Sequence, residues 1–472
     1  MIATPETHSL PTAGVVNSLF QRVDGASLAV FRIAFGIAVA IDAWRYLAYG
    51  WVRDYYITPK VHFTYLFFDF VQPWPGEWML VHYWVMSAVA LLVAAGLFYR
   101  VASVVLFLMY TYILLLEKSV YMNHHYLMAL LALLLACMPA ANAYVLPLGA
   151  RKGSQTVPIW TIWLLRFQLV LVYAYGGIAK LNYDWLRGEP LYWGLTNLPG
   201  TGATIARALS PELVAYAIAY GGLVVDFAIP LLLLRRRTFW LGFSVATVFH
   251  ALNAVFLHIG VFSYLMTGAI LIYLPPDWPR RLPRLWRMHT HDALPPRILA
   301  LLRGLAAPNP ASPTTEDGGD RRQRVVVASL LALYAVVQLL VPLRHLLYPG
   351  PVSWTEEGHR FAWHMKLRMK HSVIKITATD KSDGRSWEID PRDDLTVRQR
   401  RKLETFPDIL LQYVHVVRDR LRSQGIDARI TVDWRCSLNG RPQQMLVDPA
   451  ADLAAEERSL WPAKWILPLQ DT

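Results

Sequence analysis

About nine apolar runs, most of them close to the length of a membrane span, occupy the first 347 residues. A helix needs roughly 20 apolar residues to cross the hydrocarbon core of a bilayer. The runs lie at residues 27–46, 78–98, 101–116, 126–146, 158–178, 213–234, 239–256, 261–274 and 325–347. The third and eighth are short and are compatible with tilted or partly re-entrant helices. The pattern predicts a polytopic α-helical membrane protein with about nine transmembrane helices and the lipid bilayer as a partner.

Basic residues are concentrated in the loops that follow the even-numbered runs. They comprise Arg100, Arg151, Lys152, the three arginines 235–237 and the arginines between 280 and 324. With nine spans these loops share one side, and the positive-inside rule makes that side cytoplasmic. Arg53 and Lys60, after the first run, are a mild exception. We expect a cytoplasmic N-terminus and a periplasmic or lumenal C-terminal domain. The formal charge of +12 then reflects topology, and no nucleic-acid partner is expected.

A change in composition near residue 348 divides the chain into a membrane domain, 1–347, and a second domain, 348–472. Residues 285–323, before the last run, are rich in Pro, Ala, Arg, Asp and Gly and predict a cytoplasmic linker. In the second domain, residues 375–379 and 429–433 alternate like strands, and residues 395–424 have helical spacing. Asp383-Gly384 and Asn439-Gly440 are turn signals. We therefore expect a β-rich extracytoplasmic domain with at least one helix.

Lys180 stands at the end of the fifth apolar run, directly after the sequence GGIA. A lysine in this position can extend to water, or its desolvated amine can act as a general base. The predicted topology places other polar residues on the same outer side. These are Asn123, His124 and His125 after the third run, and His250, Asn253 and His258 around the end of the seventh.

Three interpretations of these residues compete. The histidines and asparagines could form hydrogen bonds between helices. His124, His125, His250 and His258 could bind a metal, although no ligand spacing such as HExxH is present and carboxylates are scarce among them. Alternatively, Lys180 is the base of an acid/base site in which the His and Asn side chains orient a substrate. Four further charges, at Arg32, Asp42, Arg166 and Asp226, lie inside apolar runs and are expected to form structural pairs.

Several distinctive stretches are spread along nearly the whole chain. They are NHHY at 123–126, GIAKLNYDW at 177–185, FHALN at 249–253, FLHIGVF at 256–262, PLRHLLYPG at 342–350, WTEEGHRFAWHMKLR at 354–368, WEIDPR at 387–392, SLNGRP at 437–442 and WILP at 465–468. In these stretches the chain resembles the vitamin K-dependent γ-glutamyl carboxylase family, whose membrane part is also called the HTTM domain.

The resemblance implies an enzyme that oxidises a reduced naphthoquinone, vitamin K, with O2 to its epoxide. The strong base so generated removes a γ-proton from a protein glutamate, and CO2 adds to the carbanion. Reduced vitamin K, O2 and CO2 are then required and no metal is expected. The partners are the lipid quinol and a glutamate-containing protein or peptide.

The resemblance also assigns roles to residues. Lys180 would deprotonate the hydroquinone, and His124, assisted by Asn123, would hold the substrate carboxyl or stabilise developing charge. The remaining substrate-binding candidates are His125, His250, Asn253 and His258 in the membrane domain, and Trp354, Glu356, His359 and Arg360 in an outer segment that closes over the site.

The chain departs from the animal members of this family at some positions. His125 and Ala179 stand beside the two central motifs where the animal enzymes have other residues, and the sequence ends soon after WILP. Two alternatives therefore stay open. One is a quinol epoxidase without protein carboxylation, and the other is a non-catalytic membrane binding or scaffold protein.

Overall fold

The computed structural model describes residues 17–145, 155–197, 204, 209–257, 260–282 and 320–470. Across these residues the N-terminal part is helical and the C-terminal part contains a small β-sheet. Residues 285–319 of the predicted linker lie outside the described residues. The predicted site residue His258 also lies outside them.

The helical part contains eleven α-helices in its described residues. They are α1 (Ala26–Ala48), α2 (Trp78–Ala95), α3 (Tyr99–Leu116), α4 (Asn123–Cys137), α5 (Ile159–Lys180), α6 (Tyr183–Leu186), α7 (Glu189–Asn197), α8 (Pro211–Leu234), α9 (Phe239–Leu257), α10 (Val261–Ala269) and α11 (Arg321–Leu340). Helices α10 and α11 continue as 3-10 turns at Ile270–Tyr273 and Val341–Leu347.

Within the part of the chain that the structure describes, six helices are long and apolar enough to cross a membrane: α1, α2, α3, α5, α8 and the segment Arg321–Leu347. Three shorter apolar helices, Asn123–Cys137, Phe239–Val255 and Val261–Tyr273, occupy the other predicted runs. The third run, expected to be short, is an 18-residue helix of spanning length. Each predicted run therefore contains a helix, and a crossing by the three shorter helices stays a prediction.

Neighbouring helices pack side by side in chain order from α1 to α4, and then α5 packs on α8, α8 on α9, α9 on α10, and α10 on α1. Small residues allow the closest approach. A Cβ at Gly36 in α1 would lie 2.6 Å from the carbonyl oxygen of Ala90 in α2, so only glycine fits there. As the helices alternate in direction, the start of α4, the end of α5 and the start of α10 lie at one end of the helical part.

Two of the arginines inside the apolar runs cap helix ends, as expected for structural charges. Arg32 donates to the carbonyl oxygen of Ala94 at the end of α2 at 3.2 Å, and to those of Ala140 and Tyr144 in the chain after α4. Arg166 donates to the carbonyl oxygens of Ile272 and Leu274. Carbonyls at the ends of helices have no partner within the helix, so these guanidinium groups satisfy acceptors that lipid cannot.

The C-terminal domain is an antiparallel sheet covered by helices. Its strands are β3 (Lys370–Asp380), β4 (Ser386–Ile389), β5 (Ala428–Leu438) and β6 (Gln444–Met445), in the order β4-β3-β5-β6, with Lys370 opposite Leu438 at one end of the central pair. The helices are α12 (Val352–Thr355), α13 (Val397–Leu403) and α14 (Pro407–Ser423). The short strands β1 (Arg22–Asp24) and β2 (Thr156–Pro158) pair in the helical part.

The strands and the helix that the sequence predicts for the C-terminal part are thus present, in the form of a small sheet with helices. The two predicted strands lie inside β3 and β5, and Asp383-Gly384 lies in the turn between β3 and β4. The predicted helix at 395–424 is divided into α13 and α14, because the residue before Pro407 is held in an extended conformation. The membrane side on which this domain lies stays a prediction.

Polar contacts hold the C-terminal domain against one end of the helical part. Lys118, just after α3, donates to Asp408 of α14 at 2.6 Å. Gln412 of α14 accepts from the backbone nitrogen of Thr64 at 3.0 Å. This is the end at which α4 begins and α5 ends, so the domain covers the region of His124 and Lys180.

Candidate active site

Lys180 is buried at the end of α5, with 8% of its surface exposed. Its Nζ donates a hydrogen bond to the carboxylate of Asp226 in α8 and another to the carbonyl oxygen of Gly176 at 3.2 Å. Asp226 is itself only 3% exposed. The amine therefore points into the protein, towards a carboxylate, rather than into water.

Glycines in α5 make this burial feasible. A Cβ at Gly176 would lie 3.3 Å from Oδ2 of Asp226 and 3.2 Å from Cε of Met365, and a Cβ at Gly177 would lie 2.9 Å from the ring of Phe227. The amine also lies 5.4 Å from the ring centre of Trp185. Apolar and aromatic groups thus enclose the Lys180–Asp226 pair, which limits its hydration.

His124 and His125 lie in the first turn of α4, where the sequence had suggested a loop. Nε2 of His125 is 3.3 Å from the hydroxyl oxygen of Tyr46 and 3.9 Å from Oδ2 of Asp42. The His124 ring is half-buried, 4.5 Å from His125 and 6.2 Å from Phe262 between ring centres. His125 therefore has the contacts of a structural histidine, whereas His124 adjoins aromatic rings.

His250 belongs to the same neighbourhood. Its Nε2 is 2.7 Å from the hydroxyl of Tyr173, and its ring centre is 5.9 Å from that of Phe262. The rings of His124 and His250 therefore both lie near the ring of Phe262. Tyr173 lies two helical turns before Lys180 on α5. Asn253 follows His250 on α9 and is partly buried.

A segment of the C-terminal domain connects the two parts of this site. The carbonyl oxygen of His364 accepts a hydrogen bond from Nδ2 of Asn123 at 2.9 Å. The next residue, Met365, lies against Gly176, whose carbonyl accepts from Lys180. Residues 364–365 therefore run from the start of α4 to the end of α5 and cover both.

The backbone of this segment is unusual. Glu356, Phe361, Trp363 and Lys366 all have positive φ, at 63°, 66°, 59° and 55°. Left-handed backbone at residues other than glycine costs roughly 1 kcal/mol or more each and persists where the surroundings over-determine it. Here the backbone nitrogen of Phe361 is held by the hydroxyl of Tyr121 at 2.8 Å.

Four predicted substrate-binding residues of the outer segment are engaged within their own part of the structure. Trp354 is fully buried and its indole donates to the carbonyl oxygen of Leu467 at 2.8 Å. Glu356 accepts from Arg368 and lies 2.9 Å from Nζ of Lys370. His359 lies 3.7 Å from the same carboxylate.

Arg360 donates to Asp408 at 2.8 Å, next to the Lys118 contact described above. It therefore joins the outer segment to α14, and the same carboxylate of Asp408 binds Lys118 of the helical part. The predicted substrate contacts of Trp354, Glu356, His359 and Arg360 stay predictions of the resemblance.

Burial keeps the histidines of the outer segment neutral. Desolvation, with smaller repulsive effects of Arg368 and His364, lowers the pKa of His359 well below its ordinary value. Desolvation, followed by His345 and Arg368, lowers the pKa of His364 to about 3. Neutral imidazoles can accept or donate a hydrogen bond without adding charge to the site.

Across the residues that the structure describes, no group of three or more His, Cys, Asp or Glu side chains could hold a metal ion. His124 and His250, two of the residues considered as metal ligands, each lie near the ring of Phe262.

Two family models match the chain. The HTTM domain model matches residues 20–278, and the model described as vitamin K-dependent gamma-carboxylase, lumenal domain, matches residues 323–472. The chain belongs to the vitamin K-dependent gamma-carboxylase family. No solved structure matches the chain.

The two matched regions of this carboxylase-family protein meet at Lys180. Asn123 and Gly176, in the HTTM region, contact His364 and Met365 of the lumenal-domain region. Just beyond Lys180, the carboxylate of Asp184 accepts two hydrogen bonds from Arg441 and one from Asn439. The candidate site therefore lies at the junction of the two domains.

The sequence did not identify Asp226 as the partner of Lys180, nor Tyr173, His364 and Met365 as neighbours of the site. Asp226 had been recognised only as one of four charges inside apolar runs. The pair of glycines before Lys180 was the one signal that another helix approaches α5 at this level.

Proposed function

We propose that this protein is a vitamin K-dependent carboxylase of the membrane. It oxidises a reduced naphthoquinone with O2 to the epoxide and carboxylates the γ-carbon of a protein glutamate. Overall, quinol, O2, CO2 and a glutamyl C–H bond give quinone epoxide, γ-carboxyglutamate and water, with one proton released. The observation that carries the proposal is the buried Lys180–Asp226 pair at the junction of two regions that match this family.

Lys180 acts as the base for the hydroquinone in this proposal. Its amine needs a free lone pair, yet the structure places it beside a carboxylate. Transfer of the ammonium proton to Asp226 along their hydrogen bond gives a neutral amine and a neutral carboxylic acid. In a site from which water is excluded, such a neutral pair is favoured because neither charge has to be desolvated.

The surroundings of the amine fit a naphthoquinol. Trp185, Phe227 and Met365 provide aromatic and thioether surfaces near Lys180 and its glycines. Flat aromatic molecules pack well against such groups. When bound, the quinol supplies the electrons that reduce O2, while the enclosing side chains keep water away from the strong base that results.

Asn123 and His124 are proposed to position the substrate glutamate. Oδ1 of Asn123 accepts from the Tyr121 hydroxyl at 3.0 Å, and one Nδ2 hydrogen goes to His364. The second Nδ2 hydrogen is left for a carboxylate oxygen. Because two contacts fix the amide, it would present this donor in one orientation. The His124 ring, one residue further, would stabilise charge that develops on the same carboxylate.

Purified full-length protein in lipid nanodiscs tests the proposal. Reduced vitamin K, O2, labelled bicarbonate and a short glutamate-containing peptide are supplied, and epoxide and fixed label are measured together. Lys180→Met removes the amine and keeps the apolar stem. Lys118→Met is the matched control, since Lys118 is also buried against a carboxylate but belongs to the domain contact.

We expect both products from the natural protein, neither from Lys180→Met, and both from Lys118→Met per folded molecule. Epoxide without fixed label would identify a quinol epoxidase instead. Failure of the folded natural protein to consume quinol would leave a binding or scaffold role and remove Lys180 from catalysis.

A further inference from the structure

Large apolar side chains are exposed in three short segments near the start of α2, the end of α11 and the C-terminus. We call them the apolar rim: Phe67, Phe70, Trp74, Leu346, Leu347, Leu460 and Trp461. The most exposed are Trp461 at 82%, Phe70 at 78% and Leu347 at 78%. Soluble domains rarely leave several side chains of this size in water, so the rim indicates a surface that contacts something apolar.

Hydrogen bonds connect the three segments of the apolar rim. Arg458 donates to the carboxylate of Asp69 at 2.6 Å and to the carbonyl oxygen of Thr64 at 2.9 Å. Two residues further along the chain, the carbonyl oxygen of Leu460 accepts from the Tyr348 hydroxyl at 2.8 Å. The irregular segment 458–461 therefore extends from the loop before α2 to the residue that follows α11 and its 3-10 turn.

The apolar rim lies at the level where two candidate spans end. Leu347 is the last residue of the segment Arg321–Leu347, and Trp78 begins α2. Tyr348, which binds the Leu460 carbonyl, immediately follows Leu347. Trp74 lies against Tyr112 in the last turn but one of α3, with ring centres 5.6 Å apart. Where apolar spans leave the hydrocarbon, the chain enters the headgroup layer, in which Trp and other aromatic residues are enriched.

We propose that the C-terminal domain is anchored in the headgroup layer of the bilayer through Trp461 and Leu460, beside Phe67, Phe70 and Trp74. A lipid surface fits better than a protein partner because the rim adjoins the ends of the spans themselves. A tryptophan there buries its apolar ring in the acyl boundary and keeps its indole N–H near water. The anchor would hold the C-terminal domain, and with it residues 364–365, against the membrane end of α5. This inference does not rest on the proposed function.

Depth measurement with a spin label tests the anchor in full-length protein. A nitroxide is attached to Leu460→Cys, with exposed Cys137 replaced by Ala and buried Cys436 retained. In phosphatidylcholine nanodiscs, power saturation compares collisions with O2, which concentrates in the bilayer, and with a water-soluble nickel chelate. The matched control is Glu388→Cys on β4, whose side chain is exposed and paired with Lys375. A further variant adds Trp461→Ser to the label at 460.

We expect the label at 460 to collide mainly with O2 and the label at 388 mainly with the nickel chelate. Trp461→Ser should move the label at 460 towards the nickel chelate. Equal nickel accessibility at 460 and 388 would overturn the proposal and leave the rim free for a protein partner. Unchanged depth at 460 in the Trp461→Ser variant would also overturn it, because Trp461 would not be an anchor.

Discussion

Asp226 of α8 accepts a hydrogen bond from the Nζ of Lys180 at the end of α5, and both side chains are buried. A carboxylate beside an amine has two opposing effects. It stabilises the ammonium form, which is not a base, and it also offers an acceptor to which the ammonium proton can move. Which effect dominates decides whether Asp226 restrains or assists the proposed base.

Replacement of Asp226 by Asn distinguishes these two effects. If the carboxylate accepts the proton of Lys180, Asp226→Asn should reduce the rate of epoxide formation by about 100-fold or more, because an amide cannot take up a proton. Asp226→Glu, which keeps the acid, should recover a large part of that rate. The rates are measured per folded molecule at saturating quinol, so that the loss is assigned to kcat rather than to KM.

Asp433→Asn is the control for this variant, since Asp433 is exposed, lies on β5 and forms an ion pair with Arg435 of its own strand. A folded Asp226→Asn protein with an undiminished epoxidation rate would show that the carboxylate is only a counter-ion and would contradict the proton transfer.

Gly176 should not tolerate a methyl group. A Cβ there would lie 3.2 Å from Cε of Met365 and 3.3 Å from Oδ2 of Asp226, so Met365 or the acid has to shift by a few tenths of an ångström. Because catalysis depends on short, oriented contacts, we expect Gly176→Ala to lower epoxidation roughly 10-fold. Gly221→Ala on α8 is the matched control, as nothing lies within 4 Å of its Cβ position. Equal activities of the two variants would contradict close packing at Gly176.

The positions of the helices could be predicted from the sequence because their apolar runs must meet a fixed bilayer thickness. The residues at which the helices begin and end could not be predicted in this way. The fourth run was expected at 126–146, whereas α4 begins at Asn123 and ends at Cys137. The helix stops because Met138 precedes a proline and is extended. The start of α4 at Asn123 places His124 in the first helical turn, near Phe262.

The partner of Lys180 was hidden for another reason. Asp226 is 46 residues away, and the contact depends on how α5 and α8 are rotated about their axes. Hydropathy gives a helix its length but fixes its rotation poorly when most of its faces are apolar. The strands of the C-terminal domain were easier to predict from the sequence, because their two-residue period shows which side chains lie on each face of the sheet.

Glu356 should be more important for stability than an exposed carboxylate. It lies between Arg368 and Lys370, and desolvation lowers the pKa of Lys370 while Glu356 raises it. Glu356→Gln leaves two buried cations without their carboxylate, so we expect a loss of about 3–5 kcal/mol in the free energy of unfolding. Thermal unfolding in nanodiscs measures it. Glu388→Gln, which removes an exposed pair with Lys375, should change stability by less than about 0.5 kcal/mol. Similar losses in the two variants would show that the Glu356 cluster is solvated.

Asp184 should make the attachment of the C-terminal domain dependent on pH. Burial alone would raise the pKa of its carboxyl, but the hydrogen bonds from Arg441 and Asn439 outweigh burial and lower it below the ordinary value. The folded state thus binds the proton less readily than the unfolded state. The stabilisation is complete above the ordinary carboxyl pKa of about 3.9 and is lost as the pH falls through the lowered value.

At neutral pH, Asp184→Asn should therefore be less stable than the natural protein by about 1–3 kcal/mol, as measured by denaturant unfolding of the C-terminal domain in nanodiscs. The difference should shrink below about pH 4, as the natural carboxyl becomes protonated. Asp433→Asn is the control, because Asp433 is exposed and contacts Arg435 within its own strand. A difference between Asp184→Asn and the natural protein that stays constant from neutral pH to pH 3 would contradict this prediction. The ionised form of Asp184 would then not be what joins α6 to the end of β5. The loop after Lys180 would then be held by packing alone, and the position of the amine would not depend on this ion pair.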